Sequence, residues 1–288
     1  MERNSILSLI MHDGWCNSVE CFSNLYSNGL DGWGFSFRRS QLYRYEKYME
    51  MIERNKGRFA ATDKVLEIGC GQGFFTAEYL LSYFKDIMGV DISEEAIQTA
   101  RRNHPQISFL IDSLPNLQQS GVRDAFRLIT MNECLYYLPE KEQETAILRA
   151  KELCVKNGYL MVSVNIGEKP YFSKTEIVDL LQKHFSIIDS SDMCIKQYYQ
   201  SVECKIWKIL EIMQWKFWEK PRTYDTMAKK LAGLLFGTRF AKVSYNRLIA
   251  FFCKILLYYM PIKYIDKLER YWNYDKSLSV YIVLCRKG

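Results

Sequence analysis

From Lys64 onward, short runs of apolar residues alternate with segments whose apolar positions recur every three or four residues. The runs predict strands at 64–68, 86–90, 107–111, 126–131, 158–165, 185–193 and 278–285. The helical spacing predicts helices at 74–84, 93–102, 140–155 and 173–183. Two helix starts are also marked chemically. Ser93 precedes Glu94 and Glu95, acids that favour the positive end of a helix dipole, and Ser173-Lys174-Thr175-Glu176 has the form of a capping box. Upstream, a polar lead-in with turn chemistry at Asp31-Gly32-Trp33-Gly34 gives way to Leu42, Tyr45, Met49 and Ile52 at helical spacing, which predicts a helix from Ser40 to Asn55. Strands that alternate with helices imply an α/β chain. Its sheet is seven-stranded, mainly parallel and covered on both faces, with ligands beyond the carboxyl ends of the strands.

The rhythm breaks between the sixth and seventh strands. From Lys196 to Lys276 there are 16 Lys and Arg against 7 Asp and Glu, although the whole chain of 288 residues carries only +6. The same stretch holds 18 of the 42 aromatic residues. So sharp a shift marks a separate structural unit. Lys205–Trp218, Tyr224–Leu235 and Val243–Leu257 read as helices within it. The expected division is an N-terminal lid and helix at 1–60, a sheet domain at 61–195 plus 277–288, and a basic aromatic helical insertion at 196–276. The opening MERNSILSLIMHDGW has neither the apolar length nor the charges of a signal peptide. Nine cysteines show no CxxC pair and no secreted disulfide framework, and no metal-ligand spacing is present. These features point to a cytoplasmic protein.

The stretch Val65-Leu66-Glu67-Ile68-Gly69-Cys70-Gly71-Gln72-Gly73-Phe74-Phe75-Thr76 carries the chemistry. A dinucleotide turn needs GxGxxG, and its third glycine position is Phe74. A nucleotide triphosphate loop needs Gly-Lys-Ser/Thr, and the lysine is absent. What stands here is GxGxG with Glu67 two residues ahead of it. A carboxylate at that point suits a cation, not a polyanion. S-adenosylmethionine, with a sulfonium, an amino group and a carboxylate but no phosphate, fits those requirements. Downstream, Gly89-Val90-Asp91-Ile92-Ser93 puts an acid at the second strand end, where it can accept both ribose hydroxyls. Asp112 and Ser113, at the third strand end, offer two ways to meet an adenine amino group. Met131-Asn132-Glu133-Cys134-Leu135-Tyr136-Tyr137-Leu138 closes the fourth.

Taken together, VLEIGCGQG, GVDIS and the strand before NECLYYL resemble the signature of class I S-adenosylmethionine-dependent methyltransferases over about residues 60–190 and the last strand. LDGWGF, the Tyr43–Tyr48 stretch and ECLYYL are similar, more narrowly, to the nodulation protein S type of N-methyltransferases, which methylate an amine on an aminosugar oligomer. The pattern has departures: Gly32 replaces a proline, Arg44 stands where an acid is usual, and Asn157-Gly158 replaces a Pro-Gly-Gly turn. The long insertion is also foreign to the narrower pattern.

The resemblance implies a Rossmann-like fold and S-adenosylmethionine as cofactor, with S-adenosylhomocysteine as product. It assigns cofactor binding to Glu67, Gly69, Cys70, Gly71, Gly73 and Phe74 around the turn, and to Asp91, Ile92, Asp112, Ser113 and Asn132 at later strand ends. Trp33 or Tyr43 would close over the methionine end. Catalytic candidates are Glu133, Tyr136 and His12; His104 and His184 lie in a connection and at a helix end.

Each residue has a plainer reading. Asp91 is also a helix-capping acid, Trp33 a buried ring, Tyr136 and Tyr137 packing for the next helix, and Glu133 a structural hydrogen-bond partner. The expected activity is methyl transfer to a small molecule, most readily at an amine nitrogen. The rivals are O-methylation of a hydroxylated or lipid- or sugar-linked acceptor, and a non-catalytic binding scaffold on the same fold. The insertion reads as a solvated cap, as a cover for an anionic or sugar-bearing acceptor, or as a peripheral membrane surface through 248–262, a run interrupted by Lys254 and too short to span a bilayer. No nucleic-acid module accompanies its charge. The aromatic content permits a monomer or a homodimer.

Overall fold

The computed structural model describes residues 18–26, 34–36, 38–118, 125–195, 198–203, 265 and 278–288. The insertion at 196–276 therefore lies almost wholly outside the described residues, as do His12 and Trp33.

Seven strands form one sheet in the order β3-β2-β1-β4-β5-β7-β6. They are β1 (Lys64–Ile68), β2 (Asp86–Asp91), β3 (Ser108–Ile111), β4 (Phe126–Asn132), β5 (Cys154–Asn165), β6 (Ser186–Cys194) and β7 (Leu278–Arg286). β1 to β5 pair in parallel, while β7 runs antiparallel between β5 and β6. At its far end the last pairing sets Cys194 opposite Leu278. The order reverses between β1 and β4, and that switch point opens a crevice at the carboxyl edge.

The described helices are α1 (Val19–Tyr26), α2 (Arg39–Arg54), α3 (Phe74–Glu78), α4 (Glu94–Asn103), α5 (Glu140–Leu153) and α6 (Lys174–Gln182). All seven strands stand where the apolar runs predict them, with β5 starting earlier, at the end of α5. The helix expected over 74–84 is shorter: α3 ends at Glu78, and a 3-10 turn at Leu80–Ser82 follows. Leu80 and Phe84 are fully buried by that tightening. Ser93 caps α4 through Ala96 N–H at 3.2 Å, and the capping box of Ser173 with Glu176 is present on α6.

Alternation along β1 sorts the core. Leu66 and Ile68 face a cluster with Ala146, Ile147 and Leu153 of α5 and Leu181 of α6. Val65 faces the other side, where Tyr48, Met51 and Ile52 of α2 are completely enclosed. Burying each such aliphatic side chain contributes about 1.5–3 kcal/mol. This two-sided packing fixes α2 against the sheet and so positions its polar face. Cys21 in α1 is disulfide-bonded, which the scattered spacing of the cysteines does not announce. Among the described residues, no helix is long and apolar enough to cross a membrane.

The start of α2 is held from far along the chain. Its N-cap, Arg38, makes no side-chain capping bond. Instead Glu203, fully buried in the π-helical turn Tyr199–Glu203, accepts hydrogen bonds from Ser40 N–H at 2.7 Å and the Ser40 hydroxyl at 2.5 Å. The same carboxylate accepts from Arg38 Nε and Nη2, both at 3.3 Å. Arg38 also lies 5.0 Å over the ring of Tyr199. A distant acid thus supplies the N-terminal capping that the local sequence lacks.

Candidate functional site

A cavity of about 1020 Å³ opens at the carboxyl edge of the sheet. The residue directly after each of five parallel strands lines it: Gly69, Ile92, Asp112, Glu133 and Ile166. Its volume matches the upper end of ordinary ligand pockets, about 300–1,000 Å³, so two small ligands fit side by side.

The wall built by β1, β2 and β3 carries Glu67, Asp91 and Asp112 and, among the described residues, no Lys or Arg. Such a wall suits a cation and hydroxyl donors and repels a polyphosphate. Cys70, Phe74 and Ser113 line the same wall. Gly71 and Gly73 form the turn beneath it. Gly69, Gly71 and Gly73 have φ of 78°, 53° and 78°. At Gly73 a Cβ would also lie 2.7 Å from the ring of Phe109, which is itself buried. Gly73→Ala is therefore expected to destabilise the chain by about 2 kcal/mol, through left-handed strain and overpacking together. Urea unfolding measures it, and an unchanged midpoint would contradict this geometry.

Asp91 clamps the turn. Its Oδ2 accepts from Gly71 N–H at 2.8 Å and its Oδ1 from Ser93 N–H at 2.9 Å. Burial raises its carboxyl above the usual range, against those N–H donors. Glu67 accepts from the Thr76 hydroxyl, and burial pushes its carboxyl up to about 8, with the nearby Asp91 adding to the rise. Asp112 accepts through Oδ1 from Ser113 N–H at 2.9 Å and Gln118 N–H at 3.1 Å, which fixes the loop after β3.

The opposite wall is built by β4, β5 and α2. Glu133 has φ of 58°, a left-handed conformation that a non-glycine residue adopts only under constraint. Its Oε1 accepts from Ser163 Oγ at 2.9 Å and its Oε2 from the Tyr136 hydroxyl at 3.1 Å. Arg44 Nη1 lies 3.1 Å from Oε2. Behind these, the Tyr48 hydroxyl meets Ser163 Oγ at 2.7 Å, and Asn165 Nδ2 donates to the Tyr136 hydroxyl at 3.0 Å. Burial first, and then the Glu133 carboxylate, push the Tyr48 and Tyr136 hydroxyls well above their usual range. Asn132 lines the cavity with both side-chain amide atoms buried and without a partner. The Gln41 side-chain oxygen and Arg44 Nε are orphaned in the same way. Buried polar atoms are rarely left so, and four of them around one cavity fit a polar ligand.

Tyr43 corrects an expectation. It is buried and does not line the cavity; Lys47 lies 5.1 Å over its ring. Along α2 the cavity is lined by Ser40 and by Gln41, Arg44, Tyr45 and Tyr48, the last four an i, i+3, i+4, i+7 stripe, and position 43 is not among them. The aromatic cover comes from Phe22 and Tyr26 of α1 and from Phe35, residues that sequence reading did not single out. Tyr26 reaches the turn itself, its hydroxyl 2.9 Å from where a Cβ on Gly71 would sit. His104 is outside the cavity lining, and His184 pairs with Glu144 at 2.8 Å, away from it.

Residues 65–158 match the model of a family described as a methyltransferase domain. Malonyl-[acyl-carrier protein] O-methyltransferase from Halalkalibacterium halodurans is 27% identical over 130 residues, covering 43% of this chain and 47% of that protein. Nodulation protein S from Sinorhizobium fredii is 26% identical over 120 residues, covering 41% of this chain and 55% of that protein. The chain thus spans about half the length of these curated relatives. Among solved structures, the N-methyltransferase NodS from Bradyrhizobium japonicum in complex with S-adenosylhomocysteine has the same fold, with a TM-score of 0.54 at 20% identity over 62% of this chain and 91% of that one. Residues 65–158, then, match a methyltransferase domain, and the chain shares the fold of an N-methyltransferase solved with S-adenosylhomocysteine.

Proposed function

We propose that this chain transfers a methyl group from S-adenosylmethionine to a small-molecule acceptor, with an amine nitrogen as the accepting atom. The observation that carries this reading is the acid-only wall over β1 to β3, joined in one cavity to a second polar wall over β4 and β5. Asp91 takes the ribose hydroxyls, Glu67 draws the amino group, Asp112 and Ser113 face the adenine, and Asn132 supplies an amide. Bound there, the cofactor supplies an electrophilic methyl carbon on a sulfonium. The protein's part is to hold the acceptor in line with the breaking carbon–sulfur bond, and positioning of this kind provides most of the acceleration. Both Glu133 oxygens already accept hydroxyl donors, so this carboxylate shapes the acceptor side, and the amine gives its proton to water. The similarity to nodulation protein S supports nitrogen. A second reading, oxygen methylation, is supported by Arg44 on the acceptor wall and by the O-methyltransferase relative.

The test is calorimetry with S-adenosylhomocysteine, followed by mass-spectrometric detection of product across amines, phenols and carboxylates. A folded chain that ignores S-adenosylhomocysteine but binds NADPH would end the proposal.

Glu67 adds a pH signature. A carboxyl held at about 8 keeps a proton in the folded chain that the unfolded chain has already released. Its stabilising contribution is complete below the usual carboxylate pKa and is lost as pH rises through about 8. An ammonium placed beside it reverses the preference, so binding at pH 7 is expected to release up to about one proton. Binding enthalpies in buffers of different ionisation heat measure this. The release should vanish in Glu67→Gln; buffer-independent enthalpies in the native chain would refute it.

A further inference from the structure

Three described cations line the cavity: Arg38, Arg44 and Lys169. Arg38 is tied to Glu203, and Lys169 pairs at the exposed rim with Glu140 and Glu176. Arg44 differs from both. Its side chain is 15% exposed, its Nη1 makes one ion pair with Glu133, and its Nε is buried without a partner. A guanidinium has five N–H donors in a planar fork, so most of this fork is unused.

The surroundings sharpen the point. Glu133 is already held by Ser163 and Tyr136, so it does not need the whole of Arg44. One turn earlier on the same face of α2, Gln41 is 8% exposed and its side-chain oxygen also lacks a partner. Arg44 and Gln41 thus line the same cavity, each with a buried polar atom that has no partner. Both belong with Glu133, Tyr48 and Tyr136, on the wall opposite the acids of β1 to β3.

We propose that Arg44 anchors the methyl acceptor through an oxyanion, a carboxylate or a phosphate, while Gln41 takes an N–H or O–H donor of the same molecule. This rests on the methyl-transfer reading and narrows its acceptor to molecules that carry an anion beside the methylated atom. A free ammonium without an anion is disfavoured, because it would face both the guanidinium and the sulfonium. Arg44 is then a positioning and specificity residue, occupying a place where the nodulation-type pattern has an acid.

The experiment uses the full chain saturated with S-adenosylhomocysteine, titrated with benzoate, phenylphosphonate, benzyl alcohol and benzylamine by ligand-observed NMR. At least one of the two anions is expected to bind about tenfold more tightly than benzyl alcohol and benzylamine. Which anion leads distinguishes a carboxylate acceptor from a phosphate one. In Arg44→Gln the preference should disappear while S-adenosylhomocysteine affinity stays within about threefold; Arg44→Lys should keep part of the preference. Equal binding of all four probes by the native chain overturns the proposal, and this arm needs no variant to fold. Tenfold weaker S-adenosylhomocysteine binding in a folded Arg44→Gln chain also overturns it, by moving Arg44 to the cofactor. Failure of the native chain to bind S-adenosylhomocysteine would instead sink the reading beneath it.

Discussion

Asp91→Asn is expected to weaken S-adenosylhomocysteine binding about a hundredfold, close to 3 kcal/mol. The reason lies in how fully the carboxylate is used. Its two oxygens accept from Gly71 N–H at 2.8 Å and Ser93 N–H at 2.9 Å, with the Ile92 backbone as a further donor, and the residue lines the cavity. An amide has one acceptor and one donor. Whichever way it turns, its NH2 faces a backbone N–H, so either the glycine turn or the cap of α4 loses its partner. The ribose hydroxyls then meet a group that no longer accepts from both. Leaving a buried donor unsatisfied costs about 1–3 kcal/mol, and the lost charge-assisted contacts add to that. Isothermal titration measures the result directly. An affinity within threefold of the native value would mean that Asp91 only caps α4.

Glu203→Ala should lower the unfolding free energy by about 3–5 kcal/mol, the usual effect of removing one partner of a buried ion pair. Glu203 is completely enclosed, and Arg38 is 5% exposed. Deleting the carboxylate removes a buried ion-pair partner from the guanidinium and the acceptor from the Ser40 N–H, in the first turn of the helix that carries Gln41, Arg44 and Tyr48. Replacing Arg38 and Glu203 together with Met and Leu is expected to recover much of the loss, because a matched apolar pair incurs no desolvation penalty. Urea unfolding of the single and double variants tests both statements. A single variant within 1 kcal/mol of the native chain would show that this contact is marginal.

The two residues differ in how far the sequence announces them. Asp91 sits at the end of an apolar run, two places before a helix-capping serine, and local spacing is enough to place it in the site. The strands were equally legible, since burial on both faces of a parallel sheet leaves continuous apolar runs. Glu203 was not legible. Its partners lie 163 and 165 positions away, and no local period reports a contact across that distance. The Arg44–Glu133 pair is intermediate. Both residues stood out in the sequence, one as a departure and one as a strand-end acid, but only the packing of α2 on the sheet brings them to 3.1 Å. The Tyr43 expectation failed for a simpler reason: a helix presents one stripe to a cavity, and the stripe through Arg44 and Tyr48 passes position 43 by. The split of the predicted 74–84 helix followed from the need to bury Leu80 and Phe84, a tertiary demand that periodicity alone does not express.

The antiparallel insertion of β7 between β5 and β6 has a consequence for how such a chain diversifies. The excursion from residue 195 to residue 277 leaves and rejoins the sheet at adjacent rungs, where Cys194 lies across from Leu278. Its two ends are pinned by the ladder, and Glu203, near its start, is tied to the first turn of α2. Lengthening a connection so anchored costs only about 0.6 kcal/mol per doubling. New material can therefore be spliced into that gap, or traded for another module, while the donor-holding half keeps its register unchanged.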